Sequence, residues 1–374
     1  MRLLFLQLFL KAMAKKTPKK TPQKQTSNAR SSSRKINKKT LGFIGAMGLL
    51  TLIGGLLLVS FNVIKYHYVR SGPLTEAAVF VVPSGAGLSS LAGKLEADGL
   101  IENATMLKLN AKLTSIGGGL KTGEYTVPAG ASMKDIIEIF ESGKTLLYPI
   151  TLPEGMTSAQ HMRIIKSSET LTGDMPPTPA EGTLLPETYM HPRGMSRAAL
   201  VKKMQSAQTD LIDELWDTRQ SDLPVKTKRD AIILASIVEK ETGGLHDSDK
   251  VAGVFTNRLR MGMRLQSDPT IIYGISQGEI LRGRDGKQRG LRRSEIDRKT
   301  DWNTYQIDGL PKTAICNPGA EAIRAVLNPA KTEALFFVAD GTGGHVFSKT
   351  YAEHNRHVAK WRKIERARKS SGGQ

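Results

Sequence analysis

The chain has 374 residues, 39% of them hydrophobic and 24% charged, with a formal net charge of +19. That much apolar material over that length excludes a wholly disordered or fibrous protein. A single cysteine, Cys316, excludes an internal disulfide framework, a CxxC redox pair and a thiolate zinc site, so stability has to come from core burial.

Residues 1–39 hold twelve Lys or Arg and no acid, leaving 42 basic against 35 acidic residues in the remainder. Set among Thr, Pro, Ser and Gln, this arm has too little apolar surface for a core and reads as a disordered, solvated cytoplasmic segment. Residues 41–64 follow, 24 positions without a charge, enough for a helix across a hydrocarbon layer ~30 Å thick. Residues 40–65 are therefore predicted to form a single transmembrane helix. Basic residues stay on the cytoplasmic side. This puts the N-terminus inside the plasma (inner) membrane and the globular part in the periplasm or another extracytoplasmic space. Orientation explains the arm's charge more simply than nucleic-acid binding does. A cleaved signal peptide is the competing reading, disfavoured by the length of the span and the lack of a small-residue cleavage site. Residues 3–10 are apolar but too few to span, and read either as an interfacial segment or as sequence upstream of a start at Met13.

Residues 77–148 contain two similar units, each predicted as a short strand, a glycine turn and an amphipathic helix. Residues 78–82 lead through Pro83 and Gly85 to Leu88, Leu91, Ala92 and Leu95 at helical spacing. Residues 123–127 lead through Pro128 and Gly130 to Met133, Ile136, Ile137 and Phe140, with Gly143 as the stop. This rhythm specifies a small α+β module, and glycan binding and a plain spacer role fit it equally.

Residues 149–363 carry the chemistry, and 364–374 read as a flexible tail. A loop over 181–189 precedes a predicted helix over 197–217. A second helix is predicted over 228–242, KRDAIILASIVEKET, stopped by Gly243 and Gly244. Its Ile232, Ile233, Leu234, Ala235, Ile237 and Val238 face nearly every direction, so it is expected to be buried on most sides. Two carboxylates lie in its last turn. Glu241 extends the stripe of Leu234, Ile237 and Val238, whereas Glu239 follows Ile232, Ala235 and Ser236, and either one can face inward. The negative end of a helix and an apolar wall both raise a glutamate's pKa, which suits a general acid. The plain alternative is a solvated pair neutralised by Lys240 or an arginine.

Downstream, Asp247 is expected to cap a helix with Val251, Val254, Phe255 and Leu259 on one face, ending at Gly262. Asp268-Pro269-Thr270 is expected to be a tight turn, 334–339 a buried strand, and the runs around Asn303, Gly309, Asn317 and 340–345 loops. Turn formation explains these polar residues as well as a cleft does.

The runs ILASIVEKET, FTNRLRMGMRLQSDPTIIYG, WNTYQIDGLP, NPG and FFVADGTGGHVFSKTYAEHN occur in this order. They resemble the YceG-like family, endolytic murein transglycosylases of the MltG type, over residues 80–361. The resemblance implies a membrane-anchored α+β protein with a LysM-like α+β module at 77–148 and a larger α+β catalytic domain at 149–363. Such a protein cuts the glycan strands of peptidoglycan near the plasma membrane, and the family's catalytic glutamate is the second of VEKET, Glu241. One carboxyl group suffices for that reaction. It gives a proton to the oxygen linking MurNAc to GlcNAc, then takes one from the C6 hydroxyl of the same MurNAc, which closes a 1,6-anhydro ring. An ordinary glycosidase needs a second carboxylate, for which Asp268 and Glu239 are the candidates. Motif positions also make Asn257, Gln266, Asp268, Asn303, Tyr305, Asn317 and His345 candidates for substrate binding, with Glu239 beside them. One departure from the family pattern is Lys312-Thr313 after Gly309-Leu310-Pro311, where relatives often carry Pro-Gly. No cofactor is implied, and His354 and His357 lack a third ligand for a metal. Peptidoglycan polymerases and transpeptidases are the partners the family suggests. The rival reading is a non-catalytic, membrane-anchored wall-binding scaffold for synthesis or division proteins.

Overall fold

A computed structural model describes residues 38–114, 118–243 and 247–371, and the chain divides into two units, 1–63 and 64–374. Helix α1 (Lys38–Val69) is 32 residues long. Its Leu41–Val69 portion has a mean hydropathy of 2.2, so by length and composition it is able to cross a membrane. It continues past the predicted end at residue 65. Of the predicted basic arm, only Lys38 and Lys39 fall within the described residues, and residues 3–10 lie outside them.

The first region of the larger unit contains β1 (Ala78–Val82), α2 (Leu88–Ala97), α3 (Ala104–Thr114), β2 (Gly123–Val127) and α4 (Met133–Ser142). Strands β1 and β2 pair antiparallel with Phe80 opposite Tyr125. Both strand–turn–helix units form where the spacing predicts them, with the additional helix α3 between them. The start of α4 is fixed by a reciprocal cap. Ser132 Oγ accepts from the Asp135 amide at 3.2 Å, and Asp135 Oδ2 accepts from the Ser132 amide at 2.9 Å. Gly143 ends the helix at φ +71, a conformation that costs a residue without Cβ little. Phe80, Leu91, Leu95, Tyr125, Ile136 and Phe140 form the core beneath the two strands, joined by Tyr68.

The predicted boundary at 148/149 falls inside a strand. Strand β3 (Leu147–Thr151) pairs antiparallel with β4 (Thr188–Pro192), so the predicted loop over 181–189 ends in strand. The Tyr148 hydroxyl donates to Glu124 Oε2 at 2.5 Å, and Arg193 pairs with Glu124 at 2.7 Å.

Beyond β3 the chain forms α5 (Ser158–Ser167), α6 (Arg197–Asp217), α7 (Lys228–Thr242), α8 (Ser248–Arg260), α9 (Asp268–Ser276), α10 (Arg293–Ile296), α11 (Ala320–Leu327), β5 (Phe336–Ala339), β6 (His345–Ser348) and α12 (Tyr351–Ser371). The described strands make three antiparallel pairs, β1–β2, β3–β4 and β5–β6, and the class is α+β. Helix α7 is central, with α6, α8, α9 and α11 packed around it. Thr227 and Asp230 cap it reciprocally, and Gly243 ends it at φ +58. All seven residues from Ile233 to Glu239 are buried. Each buried Leu, Ile or Val contributes about 1.5–3 kcal/mol.

Three local expectations change. Asp268-Pro269 is not a tight turn but the first turn of α9, where proline lacks only an amide that a helix start leaves unbonded. The strand predicted over 334–339 is shorter and half-buried, because it pairs only with β6 and α12 covers the hairpin in part. Residues 364–371 of the predicted tail continue α12 as helix, and 372–374 lie outside the described residues.

Candidate active site

The last turn of α7 sends its two glutamates to different surroundings. Glu239 is 5% exposed, and its Oε2 accepts from the Gly319 amide at 3.1 Å. Glu241 is partly exposed, and its Oε1 accepts from Ser267 Oγ at 2.5 Å. The solvated ion pair expected as the alternative does not form. Lys240 Nζ donates to the Gly155 carbonyl at 3.2 Å instead.

Burial is the largest cause raising the Glu241 pKa above the ordinary glutamate range, and the nearby Asp268 carboxylate adds to it. The Ser267 hydrogen bond opposes this rise, as do the charges of His345 and Arg258. Glu239 is also raised by burial, opposed by the Gly319 amide, with Glu154 adding repulsion and Lys240 relieving it. Burial lowers the Arg258 pKa, and Tyr305 and Glu241 oppose that shift. The Tyr305 phenol is pushed up by burial first and by Asp268 second.

Asp268, Tyr305 and His345, all predicted, gather around Glu241. Asp268, exposed on the first turn of α9, accepts from the Tyr305 hydroxyl at 2.8 Å. His345, at the start of β6, holds Asp247 Oδ2 at 3.1 Å through Nδ1 and at 3.0 Å through its amide. Asp247 therefore does not cap α8 with its side chain, as the sequence suggests, because its carboxylate is turned to His345. Gln266 is exposed at φ +50, and its amide donates to the Thr304 carbonyl at 3.1 Å.

The other candidates serve the framework. Asn303 is fully buried and donates to the carbonyls of Ile296 at 2.9 Å and Arg298 at 2.6 Å, while its Oδ1 takes the Tyr305 amide at 3.0 Å. It thus fixes the residue that contacts Asp268. Asn317, also fully buried, accepts the amides of Gly182 at 3.0 Å and Leu184 at 3.1 Å. Asn257 donates to Thr332 at 2.8 Å and Ala334 at 3.1 Å, and lines a cavity of about 450 Å³ that does not include Glu241. The structure does not bring Glu239, Asn257 or Asn317 to the Glu241 carboxyl. A cavity of about 310 Å³ lined by Lys240, Pro269, Tyr273, Leu281 and Arg289 lies beside the sequence neighbours of Glu241 and Asp268.

Two residues at the site were missed in the sequence. Ser267 carried no periodic signal. Arg258 did, since it lies seven, four and three positions after Val251, Val254 and Phe255, on the same buried stripe. A cation on an apolar stripe needs buried acceptors, and it has them. Arg258 donates to the carbonyls of Leu335 at 2.7 Å and Leu265 at 2.6 Å.

The chain is 28% identical over 312 residues to a Bacillus subtilis (strain 168) protein named endolytic murein transglycosylase, a match covering 75% of this chain and 83% of the relative. A protein of the same name from Streptococcus pneumoniae serotype 2 (strain D39) is 27% identical over 324 residues, 74% of this chain. That match spans only 57% of the pneumococcal relative. A crystal structure of a yceG-like protein from Listeria monocytogenes is 28% identical, covers 75% of this chain and 98% of that chain, and has a TM-score of 0.46. The YceG-like family profile matches residues 80–360, and the chain belongs to the YceG-like family.

Proposed function

We propose that the chain is an endolytic lytic transglycosylase that cleaves the MurNAc–GlcNAc bond of nascent peptidoglycan strands and leaves 1,6-anhydro-MurNAc ends. The observation that carries this reading is Glu241, a carboxyl group whose pKa burial raises at an opening beside Asp268 and Tyr305. The names of the bacillary and pneumococcal relatives support the same activity. The protonated Glu241 gives its proton to the bridging oxygen as the bond to C1 of MurNAc breaks. The resulting carboxylate takes the proton of the C6 hydroxyl, whose oxygen bonds to C1. The proton count closes and no water is consumed. Asp268, which accepts from the Tyr305 hydroxyl, faces the positive charge that develops at C1. Gln266 and His345 line the approach as sugar-binding groups.

The strand–helix–helix–strand order of residues 78–127, with its antiparallel pair, supports a LysM-like glycan-holding role for that module. Helix α1 serves as a single-pass anchor in the plasma membrane. The acid-free basic arm before it supports a cytoplasmic N-terminus and an extracytoplasmic catalytic domain. Peptidoglycan polymerases and transpeptidases are the partners this placement suggests. Incubating the full chain in detergent micelles with uncrosslinked glycan strands separates an enzyme from a scaffold. Anhydro ends appear if the reading is right, and strand binding without new ends establishes the scaffold.

A further inference from the structure

Ser267 stands at the N-cap position of α9, where a serine side chain ordinarily accepts a backbone amide of the first turn. Here it makes no capping bond. Its hydroxyl donates to Glu241 Oε1 at 2.5 Å instead. Two threonines fix the peptide groups on both sides of it. Thr270 Oγ1 donates its one proton to the Ser267 carbonyl at 2.6 Å. In the 2.9 Å contact between Thr270 Oγ1 and Thr304 Oγ1, Thr304 must therefore be the donor. Thr304 Oγ1 in turn accepts the Ser267 amide at 3.0 Å. Ser267 is 1% exposed and both threonines are fully buried, so water does not compete for these bonds.

We propose that Ser267 is the positioning residue of Glu241: its hydroxyl, aimed by Thr270 and Thr304, reserves Oε1 as an acceptor and leaves the transferable proton on Oε2. A neutral carboxyl group has one acceptor oxygen and one hydroxyl oxygen. Occupying one with a fixed donor decides which is which and holds the other toward the opening. After proton transfer the same hydroxyl stabilises the carboxylate. The proposal rests on Glu241 being the acid, and the test separates the two ideas.

The carboxyl of Glu241 is titrated by carbon-13 NMR in the full chain in micelles, in the parent, Ser267→Ala and Thr304→Val. Among the described residues, four other groups face Glu241, namely Arg258 on α8, Asp268 on α9, Tyr305 on the loop before α11 and His345 on β6, and the variants leave all of them in place. Loss of a donor to the carboxylate moves the midpoint upward in Ser267→Ala, and less far upward in Thr304→Val, which keeps the serine hydroxyl but frees its peptide. Strand cleavage by Ser267→Ala falls roughly tenfold or more in kcat with little change in KM. A midpoint that stays at the parent value in both variants overturns the clamp, whether or not cleavage falls. A parent chain that makes no anhydro ends removes the functional reading, and the titration still decides the clamp.

Discussion

Glu239 and Glu241 lie two residues apart on α7, yet Glu239 takes the Gly319 amide at 3.1 Å and Glu241 takes the Ser267 hydroxyl at 2.5 Å. Two steps along an α-helix turn a side chain by about 200°. One carboxyl thereby enters the packed wall beside α11 while the other meets the segment leading into α9. The wall contact fixes structure, and Glu241 keeps partial exposure to solvent.

Replacing Glu239 by Gln keeps an acceptor oxygen for the Gly319 amide. Strand cleavage by Glu239→Gln is expected to stay within about threefold of the parent, because the Glu239 carboxyl is engaged by the Gly319 amide and not by the Ser267 hydroxyl that holds Glu241. A rate loss as deep as that of Glu241→Gln would transfer the acid's role to Glu239.

Burial raises the Glu241 pKa above its unfolded value. The sign follows from proton linkage. The contribution to stability is fully present below the unfolded glutamate pKa and is lost as pH rises through the higher folded value. Glu241→Gln removes that loss. Its Tm at neutral pH is expected to exceed the parent's, with the gain vanishing as pH falls below the unfolded glutamate pKa of about 4.3. Thermal scans across this range check it, and a neutral-pH Tm below the parent's contradicts a raised carboxyl.

Arg258 ties the chain just before Ser267 to the start of the β5–β6 hairpin through Leu265 and Leu335. Arg258→Met fills much of the same space but strands one buried and one part-buried carbonyl, which costs about 1–3 kcal/mol. Urea unfolding should show that loss. The Glu241 pKa should also rise further, since a favourable charge is gone. An unchanged unfolding midpoint would rule out this tie.

Asn317 joins three segments, accepting from Gly182 and Leu184 and donating to Ser158 Oγ at 3.1 Å. Asn317→Ala leaves two buried amides without acceptors, and a destabilisation of about 2–4 kcal/mol is expected in the same unfolding experiment. Substrate affinity, read as KM in the surviving folded fraction, should hardly change if Asn317 is part of the framework alone.

Local signals were readable where the physics is local. The limits of α7 follow from apolar spacing and from glycine at the helix end, and the two strand–turn–helix units at 77–148 from the same kind of pattern. Helix α3 buries only Ala104, Leu107 and Asn110, too weak a stripe to stand out. At Asp268-Pro269, one dipeptide serves a turn and a helix start equally well. Spacing brought Glu241 to notice without choosing it over Glu239, because both flanks of α7 are apolar and only distant partners differ. Those partners are Ser267, 26 residues on, and Gly319, 80 residues on. Asp247 was read as a cap because its partner, His345, is 98 residues away.

The central claim is that the lone carboxyl of Glu241 performs both proton transfers and that the sugar's own hydroxyl replaces water. Cleavage of glycan strands in oxygen-18 water by the full chain and by Glu241→Gln, with the product ends weighed, tests it most directly. The account predicts unlabelled ends one water lighter than reducing sugar from the parent, and no ends above background from the variant. Oxygen-18 in the parent's ends, or undiminished cleavage by Glu241→Gln, would contradict it.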